Sequence, residues 1–177
     1  PLILALHGGN GDTHSAESFM QCLPLEGLRH MNAIIFAPTG GQWWDELHAE
    51  RVVEFVRLAK LHWPIDSNKV AVTGYSNGGT GSVFFAKNHP NTFSAAIPMA
   101  ADYKEADCPE IPTYMIHGSD DEFYSSSALK RIVDGLIAKD CDIQLHLIQG
   151  ASHGAACQMD LDLRKAGDWL REVVWKE

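Results

Sequence analysis

Short apolar runs alternate along the chain with longer amphipathic stretches, and this alternation constrains the fold more than any other feature. Runs without polar interruption are typical of strands that are buried on both faces of a sheet. The runs at 2–6 and 33–37 are wholly apolar, and mainly apolar runs follow at 70–73, 93–99, 113–117 and 143–148. We therefore predict an α/β fold with a doubly wound, mainly parallel, six-stranded sheet flanked by helices, in a single domain over residues 1–177.

The stretches between the runs are predicted to be helices. In the stretch from Asp45 to about residue 62, apolar side chains recur at the spacing of one helix face, and Pro64 ends the pattern. These side chains are Val52, Phe55, Val56 and Ala59. Further helices are predicted at about 13–29, after Ser76 to about 88, at 125–139 and at 158–175.

Charge and composition exclude several classes of partner. The chain holds 14 basic and 23 acidic residues in 177, which gives a net charge of −9. This charge argues against nucleic acid or an anionic membrane surface as the partner. No apolar run approaches the roughly 18 residues of a membrane span. The nine histidines form no metal-binding motif, so we expect neither a metal nor a cofactor, and the oligomeric state stays open.

The four cysteines, Cys22, Cys108, Cys141 and Cys157, show no C-x-x-C spacing. We expect free or buried thiols in a reducing compartment, with one or two disulfides in an exported protein as the alternative. The chain begins at Pro1 and enters a strand at once, so the removal of a signal peptide stays open. A cytoplasmic location is the expectation, and a secreted or periplasmic one is the alternative.

The third apolar run leads into Gly74-Tyr75-Ser76-Asn77-Gly78, a G-x-S-x-G pattern between a predicted strand and a predicted helix. In this context the serine occupies the tip of a sharp, strained turn, the nucleophile elbow, and the glycines let strand and helix approach closely. A glycine-rich connecting turn is one alternative. A phosphate-binding loop is another, but no lysine follows the glycines as such a loop requires.

A serine nucleophile needs a base, and the base needs a group that fixes its tautomer. Asp120 and Asp121 follow the fifth apolar run, and His153 follows the sixth. Because the carboxyl ends of parallel strands share one edge of the sheet, we expect these side chains to meet near Ser76.

Segments spread over nearly the whole chain resemble the α/β-hydrolases of the phospholipase/carboxylesterase type, which include acyl-protein thioesterases and small bacterial esterases. The matching segments are Leu6-His7-Gly8-Gly9, Trp44-Asp45, 74–79, the His117-Gly118-x-x-Asp121 pattern and His153-Gly154. The resemblance implies a minimal hydrolase fold without a cap domain.

The resemblance also implies the roles of the site residues. Ser76 would be the nucleophile, His153 the base and Asp121 the acid, with Asp120 as the alternative acid. The oxyanion hole would come from the backbone N–H groups of Gly9 and Asn77. Two further histidines at strand ends are expected to hold neighbouring loops rather than to take part in catalysis. They are His7 and His117.

The substrate is harder to predict. The gap at 100–112 is too short for a helical cap, so we expect an open, shallow site. Trp43 and Trp44, in the loop after the second run, and Phe123 and Tyr124, after the acid, are expected to line the substrate pocket, although simple packing explains the tryptophans equally well.

The elbow residues favour one activity over its relatives. Tyr75 and Asn77 replace the Phe and Gln that are common in thioesterases, which favours a serine carboxylesterase acting on small, short-acyl esters. The alternatives are an acyl-thioesterase, an acetyl or feruloyl carbohydrate esterase, and a polyester depolymerase. A catalytically inactive binding protein is disfavoured, because all three catalytic positions are filled.

Overall fold

The protein forms one six-stranded parallel sheet with strand order β2-β1-β3-β4-β5-β6. This computed structural model describes residues 1–9, 13–22, 24–39, 44, 46–104 and 106–176. The strands are β1 (Leu2–Leu6), β2 (Ile34–Phe36), β3 (Val70–Tyr75), β4 (Ala95–Met99), β5 (Thr113–Gly118) and β6 (Ile143–Ile148). The predicted doubly wound sheet is confirmed.

Helices connect most of the successive strands, and the last helix follows β6. The helices are α1 (Thr13–Cys22), α2 (Pro24–Leu28), α3 (Glu46–His62), α4 (Asn77–Asn88), α5 (Ser126–Ile137) and α6 (Asp160–Trp169). The single helix predicted at 13–29 is two helices, because Pro24 lacks an N–H and suits the first turn of a new helix. The last predicted helix begins as a 3₁₀ turn, Ala156–Gln158, and ends in a π turn, Leu170–Val174. Asp45, where the predicted helix begins, lies outside the described residues.

Strand β1 shows why the wholly apolar runs predict a sheet covered on both faces. Leu2, Leu4 and Leu6 pack in the core beneath α3 and α4. Ile3 and Ala5 point the other way, into the core beneath α1, α2 and α6. Successive side chains of a strand alternate between faces, so only a strand buried on both sides is apolar at every position.

Helix α4 lies unusually close to the sheet, and this closeness positions the elbow. A Cβ atom at Gly78 would collide with the backbone oxygens of Leu6 and His7, and one at Gly74 would collide with the backbone of Gly78. Only glycine fits where backbone meets backbone at such distances. The turn between β3 and α4 is therefore held beside the carboxyl end of β1.

Two disulfides cross-link the chain, so the expectation of free thiols is wrong. Cys22 pairs with Cys157 and Cys108 with Cys141, with Cα–Cα distances of 4.9 and 5.2 Å, within the span of a disulfide. The partners are 135 and 33 residues apart, so no local spacing indicated them. The first disulfide joins the end of α1 to the turn that follows His153. The second joins the segment before β5 to the turn after α5.

The segment between β4 and β5 bears on access to the site. In the described part of 100–112 there is neither helix nor strand, as the predicted absence of a helical cap requires. Among the described helices, none has the length and apolar character needed to cross a membrane.

Candidate active site

Ser76 stands at the turn from β3 to α4 in a strained backbone conformation, with φ 55° and ψ −116°. A residue with a side chain adopts this region only where its surroundings hold it there. Its N–H donates to the Met99 carbonyl at 2.9 Å, and its own carbonyl accepts from the Thr80 N–H at 2.9 Å. A neighbouring strand and the first turn of α4 together hold the serine in place.

His153 lies between Ser76 and Asp121. Its Nε2 is 2.9 Å from the Ser76 Oγ, and its Nδ1 is 2.8 Å from the Asp121 Oδ2. The imidazole is partly exposed, while the Asp121 side chain is completely buried. The three residues come from the ends of β3, β5 and β6, which share one edge of the sheet. The structure thus brings together the three residues proposed for the triad, in the order of contacts that the serine mechanism uses.

The environment of Asp121 keeps its carboxylate charged. Its Oδ1 accepts the backbone N–H groups of Phe123 at 2.9 Å and Tyr124 at 2.8 Å. Burial alone would raise the pKa of Asp121, but the hydrogen bonds from Tyr124, His153 and Phe123 outweigh it and hold the pKa below its usual value. An ionised carboxylate is what an adjacent imidazole needs when it takes up a proton.

Asp120, the alternative acid, points elsewhere. It is exposed, and its Oδ1 accepts from the Ser119 hydroxyl at 2.7 Å. Its backbone N–H donates to the Ala151 carbonyl at 3.0 Å. The geometry therefore favours Asp121 as the partner of His153.

The two strand-end histidines each bond a carbonyl of the loop that follows them. The His117 Nε2 lies 2.9 Å from the Tyr124 carbonyl and 3.6 Å from the Asp121 Oδ2. The His7 Nδ1 lies 2.9 Å from the Gly8 carbonyl. Both imidazoles are buried, and their contacts match the loop-holding role that we expected.

The two residues predicted for the oxyanion hole are close together. Asn77 begins α4, and its side-chain amide makes a long contact of 3.5 Å with the Gly9 carbonyl. Gly9 has a φ of 70°, which glycine adopts without strain. A Cβ atom at the preceding Gly8 would lie 2.8 Å from the Tyr75 carbonyl, so the first loop lies directly against the elbow. The oxyanion role of both residues stays a prediction.

The expected pocket residues have different surroundings. Phe123 is 71% exposed, and its ring meets that of His153 edge-on at 4.7 Å. The Tyr124 ring lies 5.4 Å from the same imidazole. Trp44 is buried, and its Nε1 donates to the His7 carbonyl at 3.1 Å, which agrees with a packing role. Trp43 lies outside the described residues.

Two residues that the sequence motifs did not indicate also contact His153. The Tyr75 hydroxyl donates to the His153 carbonyl. The Glu122 carboxylate accepts the His153 N–H at 2.8 Å. Their only signal in the sequence is adjacency to Ser76 and Asp121. Among the described residues, no group of three or more His, Cys, Asp or Glu side chains is arranged to hold a metal ion.

This fold is that of the α/β-hydrolases, as the motifs predicted. The chain belongs to the dienelactone hydrolase family, whose sequence model matches residues 36–173.

Known proteins similar to the chain agree with this assignment. A protein of Aquifex aeolicus (strain VF5) named "Putative carboxymethylenebutenolidase" is 27% identical over 105 residues, which are 57% of this chain and 44% of that protein. The chain thus spans less than half the length of this curated relative.

Solved structures show the same fold at lower identity. A thermostable esterase superposes with a TM-score of 0.78 at 20% identity, over 96% of this chain and 54% of the other. A fluorophosphonate-binding serine hydrolase of Staphylococcus aureus superposes with a TM-score of 0.75 at 15% identity, over 96% and 82% of the two chains.

Proposed function

We propose that the protein is a serine carboxylesterase that hydrolyses small, short-acyl carboxylic esters through an acyl-enzyme on Ser76. The observation that carries the proposal is the continuous chain of hydrogen bonds from Asp121 through His153 to the Ser76 hydroxyl. Membership of the dienelactone hydrolase family supports an esterase-type hydrolase.

The mechanism has two acyl-transfer steps. The Ser76 Oγ attacks the ester carbonyl carbon while His153 Nε2 takes the hydroxyl proton, and Asp121 stabilises the resulting imidazolium. The carbonyl oxygen becomes an oxyanion that accepts hydrogen bonds from the backbone N–H groups of Gly9 and Asn77. The C–O bond to the leaving alcohol then breaks, and His153 protonates the alcohol. Water repeats the sequence on the acyl-enzyme and releases the carboxylic acid.

The surroundings of the serine favour small soluble esters. Neither helix nor strand occurs in the described part of 100–112, where a cap would begin. A depression of about 330 Å³ opens beside Phe123 and Tyr124. Its other walls combine apolar side chains, among them Leu129 and Ile132, with the charged pair Asp102 and Lys104. The rings of Phe123 and Tyr124 connect this depression to His153, and its volume suits a short acyl chain or a single ring.

A second candidate is the hydrolysis of a cyclic ester. The name of the Aquifex aeolicus relative describes a butenolide hydrolase, and a lactone opens by the same attack on its carbonyl carbon. In that case the leaving oxygen remains covalently part of the acyl group on Ser76, and water releases one ring-opened acid with no separate alcohol. Thioesters and carbohydrate or polymer esters would also react by this chemistry, so the acyl donor has to be found by experiment.

A labelling experiment with a substrate panel tests the proposal. We expect a fluorophosphonate probe to label the wild-type protein and not the Ser76→Ala variant, since the probe reacts with an activated serine. The panel contains p-nitrophenyl acetate, butyrate and palmitate, an acyl-thioester and a butenolide. Fastest turnover of the short p-nitrophenyl esters supports the carboxylesterase. Fastest turnover of the butenolide supports the second candidate. Equal labelling and turnover by Ser76→Ala would refute the serine mechanism.

A further inference from the structure

We propose that Tyr75 and Glu122 are positioning residues that hold the backbone of the catalytic histidine, one at its carbonyl and the other at its N–H. The inference rests on the proposed function, because it assigns a role in the turnover that His153 supports. It concerns two side chains that the acyl-transfer steps do not themselves use.

The first contact comes from the elbow. Tyr75 is the last residue of β3, directly before Ser76, and its side chain is buried. Its hydroxyl donates to the His153 carbonyl, and its ring lies 5.8 Å from the imidazole. Burial, together with the nearby charges of Asp121 and Glu122, raises the pKa of the Tyr75 hydroxyl above its usual value. The hydroxyl therefore stays protonated and remains a donor over the working pH range.

The second contact comes from the turn that carries the acid. Glu122 directly follows Asp121, and its Oε2 accepts the His153 N–H at 2.8 Å. Asp121 meanwhile accepts from the ring Nδ1 of the same histidine at 2.8 Å. Two adjacent carboxylates thus hold one residue, one at its side chain and one at its backbone.

The elbow repeats this arrangement. Ser76 contacts the ring of His153 through Nε2, and its neighbour Tyr75 contacts the backbone. His153 needs such support, because it lies in the irregular segment between β6 and the 3₁₀ turn at Ala156–Gln158. No helix or strand ladder fixes its backbone there. Holding both the N–H and the carbonyl leaves the side-chain torsions as the main freedom of the imidazole.

The expected effect is on kcat. A catalytic group displaced by a fraction of an ångström loses reaction geometry, and about 1 Å can cost roughly a hundredfold in rate. We expect Tyr75→Phe and Glu122→Ala each to lower kcat by about 10- to 100-fold, with KM close to the wild-type value. Glu122→Gln should recover most of the activity, because its amide oxygen still accepts the N–H.

Each variant has a matched control. Tyr114→Phe removes a tyrosine hydroxyl from β5, where the ring packs on Trp169 at 5.4 Å. Asp120→Ala removes a carboxylate from the same turn as Glu122, but one that bonds Ser119. Thermal unfolding of all variants checks that they are folded, and the Glu122 pair carries the test if Tyr75→Phe is not.

The assay compares kcat and KM on p-nitrophenyl acetate and butyrate with the rate of fluorophosphonate labelling. A positioning role predicts the same fold-loss in kcat on both esters and a parallel loss in labelling. Full kcat in Tyr75→Phe and Glu122→Ala, with an active wild type, would overturn the proposal. A raised KM or an altered acyl preference would also overturn it, because either result indicates a role in substrate binding. The same would follow if Glu122→Gln were as impaired as Glu122→Ala. Absence of both labelling and turnover in the wild type would instead refute the proposed function.

Discussion

Replacement of glycine by alanine is predicted to have opposite effects on stability at two glycines that lie in helices. Gly135 lies in the last turn of α5, is exposed, and has open space where a Cβ atom would stand. Replacing it with alanine reduces the conformational freedom of the unfolded chain and adds a better helix former, which stabilises by about 1 kcal/mol. For a domain of this size we expect Gly135→Ala to raise Tm by about 2–4 °C.

Gly78 lies in the first turn of α4, where the same substitution should destabilise. Its Cβ atom would collide with the backbone of Leu6 and His7, and backbone cannot rotate away as a side chain can. Overpacking costs about 1–3 kcal/mol and occasionally more, and a collision with backbone falls at the upper end, about 3 kcal/mol. After the helix gain of about 1 kcal/mol, a net loss of about 2 kcal/mol remains, which lowers Tm by about 4–8 °C.

The Gly78 change should also affect turnover. If α4 moves away from β1, Ser76 moves with it, and the 2.9 Å contact between its Oγ and His153 Nε2 lengthens. A displacement approaching 1 Å costs about a hundredfold in kcat, whereas Gly135→Ala should leave kcat unchanged.

Thermal unfolding followed by circular dichroism gives both Tm values, and p-nitrophenyl butyrate hydrolysis gives kcat. A Tm for Gly78→Ala that rises as far as that for Gly135→Ala would refute the close packing of α4 on β1. A fall in Tm for Gly135→Ala would refute the claim that its Cβ position is open.

Three further predictions concern charge and cross-links. Asp121→Asn should lower kcat by about 10⁴-fold, as loss of the triad acid does in serine proteases, while the same change at the neighbouring aspartate has little effect; the reverse result would reassign the acid. Replacing both cysteines of the Cys22–Cys157 disulfide with serine should destabilise the fold by about 2–5 kcal/mol. It should also lower kcat, because this disulfide holds the turn that follows His153. Breaking the other disulfide should affect Tm alone, and equal effects of the two changes on kcat would contradict this reasoning. Burial raises the pKa of Asp162, but hydrogen bonds from Lys165 and His146 outweigh it and hold the pKa below its usual value. The ionised form therefore stabilises the fold above a pH of about 4, the unfolded value, and this stability is lost as pH falls through the native pKa. In urea titrations at decreasing pH, the free energy of unfolding of Asp162→Asn should fall less steeply than that of the wild type. Parallel plots of this free energy against pH for the two proteins would exclude the effect.

Much of the fold was predictable because a strand that is buried on both faces of a sheet forms a recognisable apolar run in the sequence. Strand β1 has the predicted boundaries, Leu2–Leu6, since each of its side chains has to be apolar. The strand–turn–helix context of Ser76 and the position of His153 after β6 are likewise read from neighbouring residues. The break at Pro24 could also have been read locally, because proline begins helices more readily than it continues them.

Contacts between distant segments are not indicated by any pattern of neighbouring residues. By chain order alone, either Asp120 or Asp121 could face His153. The turn distinguishes them, because it directs the Asp121 carboxylate toward His153 and the Asp120 carboxylate toward the Ser119 hydroxyl. The disulfide partners lie 135 and 33 residues apart, so their pairing depends on how the helices pack on the sheet.

The sequence by itself therefore determined the parallel sheet, the elbow and the histidine that belongs to it, because each depends on the pattern of adjacent residues. The motif resemblance favoured Asp121 over Asp120, and the tertiary structure showed that Asp121 is the one that contacts that histidine. Only the tertiary structure decided which cysteines pair and that Tyr75 and Glu122 contact the His153 backbone. These last are pairwise distances across the sheet edge, and they are set by loop geometry and packing that no local pattern encodes.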